Sequence, residues 1–258
     1  MNTIEVYKRL PGTNCGECPE KTCMAFALSI VKGSAEVENC PHIDPAVAGE
    51  LRNAKGVDWR EGLIESLRKE VSGLDFSRCA EGLGAELVGG AMKIRCLGMD
   101  FLVSPDGEIT TKGYINPWIK ILLLHYIRTG GRGEPSGEWV SFSTLKAGLV
   151  KASSFQRDCE EPMRRLLDDD LPAAAAVLAR LGAEEAGSES ADHAWRLQAL
   201  PKVPVLIQYW KEEEDLDLMG ASSCRILFDR SADRFLDVES LVFLIEGLVN
   251  IASHALRR

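Results

Sequence analysis

Four of the eight cysteines in this 258-residue sequence fall within its first forty positions, spaced Cys15-x2-Cys18-x4-Cys23-x16-Cys40 and followed by Pro41. Four thiolates converging on one small inorganic core are what an iron–sulfur cubane requires. Cys15, Cys18 and Cys23 sit in one tight loop that can wrap one side of such a core, while Cys40 closes the other. Structural zinc also accepts four cysteines, but its knuckles usually come as two short Cys-x-x-Cys pairs. Here the second pair is absent, because sixteen residues separate Cys23 from Cys40. Spacing favours a cluster, most simply [4Fe-4S], and leaves zinc as the competing metal. Gly12, Asn14 and Gly16 suit the left-handed backbone angles that wrapping demands. Cys23 stands where a helix begins, so its neighbourhood offers backbone N–H groups to the sulfurs. Such donors, with Lys8, Arg9, Lys21 and Lys32 nearby, would stabilise the reduced state and raise its potential.

The rest of the composition limits what surrounds this site. The sequence is 45% hydrophobic and 27% charged, ordinary for a globular protein, and its net charge of −9 includes no sustained basic stripe. Nucleic-acid binding is therefore not expected. The opening MNTIEVYKRL lacks the basic-then-apolar pattern of a secretory signal. The apolar run Ile115–Ile127 contains Lys120 and His125 and is too short to cross a bilayer. A cytoplasmic protein without membrane association is expected, and in a reducing compartment clustered cysteines point to metal rather than disulfides.

The elements that must position the four cysteines are short. Residues 3–9 read as a helix ended by Pro11 and Gly12, Thr22 as the cap of a helix from Cys23 to Lys32, and Asp44-Pro45 as the start of another through Ala54. A domain boundary is expected between Ala54 and Trp59, giving a cluster module over 1–55 and a second domain over 59–258. In that second domain a helix over 59–73 precedes a β-meander over 85–88, 92–97, 101–104 and 108–111. A strongly apolar helix over 115–129, a glycine-rich loop over 129–138 and a short strand over 139–142 follow. Helices are expected near 143–150, 153–168 and 172–182, strands at 193–199, 203–210 and 224–228, and a final amphipathic helix at 238–256. Strands and helices do not alternate regularly, so the fold class is α+β, a small helical module before a larger mixed antiparallel-sheet and helix domain.

The string Leu10-Pro11-Gly12-Thr13-Asn14-Cys15-Gly16-Glu17-Cys18, continued by Lys21-Thr22-Cys23-Met24-Ala25-Phe26-Ala27 and closed by Cys40-Pro41, resembles the [4Fe-4S] module at the start of the corrinoid iron–sulfur protein large subunit. The resemblance covers roughly residues 8–45. It implies that Cys15, Cys18, Cys23 and Cys40 all ligate the cluster, and that the cluster passes one low-potential electron to an oxidised corrinoid. Neither the barrel nor the corrinoid-carrying domain of that family follows, so the chain is not itself such a subunit. Residues from about 85 to 250 resemble a family of anaerobe proteins often joined to this module, through Leu122–Tyr126, Gly133–Val140, Leu200–Pro204 and Ile226–Asp229. That likeness implies a shared fold and brings no established activity.

Other chemistry-bearing residues are weaker candidates. Cys79, Cys96, Cys159 and Cys224 form no local pair and read as buried thiols. The four histidines, His42, His125, His193 and His254, stand singly. His125, on the apolar helix, is a candidate axial ligand to a corrinoid or haem, against the commoner role of a core histidine. The loop over 129–138 lacks the Gly-Lys-Ser/Thr ending of a phosphate loop and reads as a connection, though Arg128 and Arg132 could offer charge to an anion. Asp168-Asp169-Asp170 and Glu212–Asp215 read as solvated acidic runs. No Gly-x-Ser-x-Gly elbow is present, and no catalytic residue can be named. The expected function is low-potential one-electron transfer, to a corrinoid bound by the larger domain or carried by a redox or corrinoid protein partner. The alternatives are a corrinoid- or tetrapyrrole-binding protein and a redox-sensing interaction module.

Overall fold

In the helix Cys23–Val31 the residues Cys23, Phe26, Ala27 and Ile30 are buried, spaced so that they fall on one helical face. That face needs a partner, and the chain supplies it from Thr3–Tyr7 and its continuation, through Val6 and Leu10. Burying Phe26 and Ile30 alone contributes about 2–3 kcal/mol each. The computed structural model describes residues 3–31, 35–52, 59–113, 115–187, 190–212 and 221–257. It divides into two compact units, Met1–Leu63 and Ile64–Arg258. The expected boundary between Ala54 and Trp59 lies mostly on residues outside those described, as do Lys32 with Gly33 and Ser34, and most of the acidic run Glu212–Asp215.

The smaller unit contains α1 (Thr3–Tyr7), α2 (Cys23–Val31), a 3-10 turn over Val37–Asn39 and α3 (Pro45–Arg52). Its core includes Val6, Leu10, Phe26, Ile30, Val37 and Leu51, together with the ligand candidates Cys23 and Cys40. Asp44 accepts from the Ala46 N–H at 2.7 Å and Pro45 opens α3, as the sequence suggests.

α4 (Trp59–Ser72) enters the larger unit, where Leu67 and Val71 are buried, and α5 (Phe76–Cys79) follows under an Asp75 cap. The meander is β1 (Glu86–Val88), β2 (Ala91–Cys96), β3 (Met99–Val103) and β4 (Ile109–Thr110), antiparallel in that order. Met92, Ile94 and Cys96 on β2 and Phe101 and Val103 on β3 point inward at the two-residue period of a half-buried strand. Gly89-Gly90, both at positive φ, make the two-residue hairpin between β1 and β2. The next hairpin uses Leu97 at φ 47 with Gly98. Leu97 tolerates this conformation because its side chain is fully buried and its N–H donates to Ala199 O at 2.9 Å.

α6 (Pro117–Arg128) starts under Asn116, whose side chain accepts from the Ile119 N–H. The second sheet comprises β5 (Trp139–Ser141), β6 (Ala183–Glu185), β7 (His193–Leu200), β8 (Val203–Trp210) and β9 (Ser223–Asp229), antiparallel in the order β5-β9-β8-β7-β6. Between β5 and β6 run α7 (Gly148–Phe155), α8 (Glu161–Asp169) and α9 (Leu171–Arg180). α+β is the fold class, as the sequence indicates.

Three local differences have physical causes. The helix expected from 143 begins at 148, because Phe142–Thr144 is a 3-10 turn and Ala147 takes φ 63. Gly148 then passes so close to the Phe142 carbonyl that a Cβ there would lie 1.9 Å from its oxygen. The helix expected over 153–168 is split by a π turn, Gln156–Glu160, ahead of Pro162. Proline has no N–H and crowds the carbonyl four residues back, which one wider turn relieves. The edge strand β6 escaped notice because Ala-Glu-Glu shows no apolar alternation.

The final helix, α10 (Val238–Leu256), is long and apolar enough by length and composition to cross a membrane. In the fold its row Leu241, Leu244, Ile245 and Leu248 is buried, while Ile251 is half-buried. Tyr126 pins three segments together: its buried hydroxyl donates to Leu83 O at 2.7 Å and accepts from the Lys202 N–H at 3.1 Å. Tyr126→Phe strands both partners and is expected to cost about 1–3 kcal/mol, read as a thermal midpoint lower by several degrees. An unchanged midpoint would remove the hydroxyl from the fold's support.

Candidate metal centre

The cysteine loop is built by backbone geometry. Gly12, Asn14 and Gly16 all adopt positive φ, at 71°, 50° and 74°, so the chain curls back on itself before α2. Asn14 does more than turn: its Oδ1 accepts from the Cys23 N–H at 2.8 Å, fastening the loop over the start of the helix. That N–H is therefore committed to Asn14 and is not free for a sulfur, which corrects one expected donor. Thr22 caps as expected, its Oγ1 accepting from the Ala25 N–H at 3.2 Å. Glu20 ties the loop to the last turn of α2 by accepting from the Ser29 hydroxyl at 2.7 Å, and its carbonyl lies 3.2 Å from Cys18 Sγ.

Cys40 arrives from the other side. The turn Val37–Asn39 is closed by a reciprocal capping box, with the Glu36 N–H donating to Asn39 Oδ1 at 2.9 Å, and the Cys40 N–H donates to Val37 O. Cys23 and Cys40 are buried in the unit's apolar core, Cys18 is half-buried, and Cys15 is exposed. The site has a dry inner side and one edge open to solvent. Among the described residues, the tight group with ligand atoms within 4.8 Å of one another is Cys15, Glu17 and His42 rather than the four thiols. His42 Nε2 lies 2.8 Å from Glu17 Oε2. Tetrahedral zinc would hold four sulfurs about 3.8 Å apart, whereas a cubane, with each thiolate on its own iron, spreads them further. The donor set, two thiols in the core and two on the curled loop, suits an iron–sulfur core. Of the nearby cations, Arg9 is paired with Glu50 at 2.7 Å, so its charge is largely spent.

The remaining candidates lie in the larger unit. Cys79, Cys96, Cys159 and Cys224 are buried. Burial pushes the Cys96 thiol up to about 12 and raises Cys159 and Cys224 as well. Among the described residues they contribute to no group of metal-ligating atoms. His125 is largely buried, with Nδ1 in ion contact with Asp237 Oδ2 at 2.8 Å, without the alignment of a hydrogen bond. Asp237 also caps α10 through the Ser240 N–H; burial would raise its pKa, but His125 and this N–H outweigh it and hold the carboxyl well below the usual range. Asp168 accepts from Tyr209 and Ser222 and pairs with Arg164, while Asp170 caps α9 through the Ala173 N–H. The acidic run is thus a structural anchor.

The glycine-rich loop is held by a residue whose role the sequence did not reveal. Asp229, 1% exposed, accepts from the Ser136 and Gly137 N–H groups at 2.8 and 2.6 Å and from the Ser231 N–H and hydroxyl. These loop donors bind an internal carboxylate, so the connecting role stands and the loop has no phosphate cradle at Ser136 and Gly137.

Comparison with known proteins matches two separate stretches of the chain. A family model described as "Putative Fe-S cluster" matches residues 10–42, and that of the Domain of unknown function (DUF3786) matches residues 75–251. The corrinoid/iron-sulfur protein large subunit of Moorella thermoacetica is 46% identical over 51 residues, 20% of this chain and 11% of that protein. The acetyl-CoA decarbonylase/synthase complex subunit gamma 2 of Methanosarcina thermophila is 55% identical over 69 residues, 27% of this chain and 14% of its own. The gamma subunit of Methanopyrus kandleri is 46% identical over 72 residues, 28% and 16% respectively. The chain spans less than a fifth of the length of these curated relatives. No solved structure matches it. The N-terminal segment matches the iron–sulfur family model and is similar to a stretch of each of these subunits.

Proposed function

Because the chain belongs to the DUF3786 family and carries an iron–sulfur module ahead of that domain, we propose that it is a one-electron carrier. Cys15, Cys18, Cys23 and Cys40 hold a [4Fe-4S] cluster in a module of residues 1–55, and residues 59–258 form the domain it serves. The observation that supports this most is the four-cysteine site itself, within a segment matching iron–sulfur proteins. When bound, the cluster supplies a single low-potential electron. Cys23 and Cys40 anchor it in the apolar core and keep water from its inner side, and Asn14 fixes the loop that carries Cys15 and Cys18. Four thiolates leave no coordination position for substrate, so transfer is outer-sphere. The solvent-facing edge at Cys15 gives the shortest route outward.

The acceptor is a corrinoid carried by a protein partner, as the names of the relatives suggest. The alternative, a corrinoid held by His125, has less support: that ring is paired with Asp237 and lines a cleft of about 330 Å3, small for a macrocycle. The decisive test is electron paramagnetic resonance on anaerobically purified protein before and after dithionite, with iron and sulfide assayed together. A signal in the reduced state with about four irons and four sulfides per chain is the expected result. Zinc without sulfide sinks the electron-transfer reading.

A further inference from the structure

The cleft beside His125 has a chemistry of its own, independent of the iron–sulfur module. It lies in the larger unit among the C-terminal turn of α6, the turn before α7 and the turn before α10, with a volume of about 330 Å3. Its charged lining is His125, Arg128, Lys146, Asp233, Arg234 and Asp237. Both acids are already engaged by the protein. Asp233 accepts from the Lys146 N–H at 3.0 Å, and Asp237 accepts from the Ser240 N–H while contacting His125. The cations are not balanced in the same way. Arg128 lies 3.4 Å from Glu70, but among the described residues neither the Arg234 guanidinium nor the Lys146 ammonium has a carboxylate partner. The lining's three fixed cations outnumber its two carboxylates, so in a chain of net charge −9 the cleft is not acidic, and the exposed Lys146 and Arg234 keep their charges available to a ligand.

Their backbones are also fixed in advance. Ala147 is held left-handed by the close passage of Gly148 against Phe142, which sets Lys146. Arg234 sits in a 3-10 turn, its N–H donating to Ser231 O at 2.9 Å. The glycine-rich loop passes along the same edge, where a Cβ on Gly133 would lie 3.7 Å from Arg234 Nη1. Asp237 lies against Nδ1 of His125 at 2.8 Å, which leaves Nε2 as the ring nitrogen for a ligand. Arg234, Lys146 and His125 line the same cleft, and guanidinium, ammonium and imidazole are the groups that recognise oxyanions.

We propose that this cleft binds a small organic oxyanion, a carboxylate or phosphate group held by Arg234 and Lys146, with His125 Nε2 as the third polar contact. The test is calorimetric titration of the full chain at low ionic strength with inorganic phosphate and, separately, with succinate, each against chloride at matched ionic strength. One saturable site for at least one probe is expected, weakened about tenfold or more when Arg234→Gln and Lys146→Gln are combined. The charge-matched pair Arg78→Gln with Arg180→Gln, outside the cleft, should leave affinity within about twofold. Phosphate binding alone identifies a phosphate-bearing ligand, and succinate binding alone a carboxylate. No saturable binding of either probe, or equal weakening by the control pair, overturns the proposal.

Discussion

Cys40→Ala is expected to empty the module of iron and sulfide and to unfold it while leaving the larger unit folded. Cys40 is 7% exposed and belongs to the same small core as Phe26, Ile30 and Leu51. A unit near 60 residues buries little apolar surface and is marginal without a staple. Where a metal centre closes such a unit, its binding free energy is folding free energy. Removing one buried ligand therefore removes both cofactor and stabilisation. Iron and sulfide per chain should fall to near zero, and limited proteolysis should cut within the first sixty residues while sparing the remainder. Cys79→Ser, another buried thiol outside the four, should keep its full complement of iron. If Cys40→Ala retained the iron, or Cys79→Ser lost it equally, the ligand assignment would be wrong.

Asp229→Ala is expected to destabilise the larger unit strongly. The carboxylate accepts from three backbone N–H groups and two hydroxyls, joining the loop at Ser136-Gly137 to the end of β9. Truncation strips partners from the buried Ser231 N–H and hydroxyl and releases the more exposed Ser136 and Gly137, a cost of about 2–4 kcal/mol, or on the order of ten degrees in thermal midpoint. Burial by itself would raise the carboxyl's pKa, yet the hydrogen bonds from Ser231 and Ser136 prevail and lower it from 3.8 to about 2. A folded value below the unfolded one means stability that is complete above about pH 4 and lost as pH falls toward 2. That contribution is about 2 kcal/mol. Asp229→Asn should accordingly flatten the acid limb of the stability profile. A midpoint for Asp229→Ala within a degree or two of the parent would show the loop to be held otherwise.

What could be read from the sequence was local. The cysteine loop declares itself because ligand type, spacing and the left-handed residues Gly12, Asn14 and Gly16 all lie within a dozen positions. The meander is equally plain, since Gly89-Gly90 and alternating apolar residues need no distant partner. What escaped depends on pairings across the chain. Nothing near Asp229 announces that its partners are Ser136 and Gly137, and nothing near His125 announces Asp237. One of the N–H donors expected at the start of α2, that of Cys23, is committed for a subtler reason: Asn14, suited by its backbone angle, also places a side-chain acceptor there. The split at Gln156–Glu160 reflects a proline whose effect falls one turn upstream of itself.

The burial of the other cysteines has a consequence for how the protein ages in air. Cys96, Cys159 and Cys224 are held as neutral thiols by their surroundings, and a neutral, enclosed thiol is a poor nucleophile toward peroxide or alkylating reagents. Cys15, by contrast, is open to solvent. Thiol oxidation is thereby directed to the N-terminal segment, at Cys15, rather than to these three cysteines of the larger unit. A brief iodoacetamide pulse would mark a chain that has lost its cofactor and pass over one that has kept it, so the pattern of labelling dates the loss.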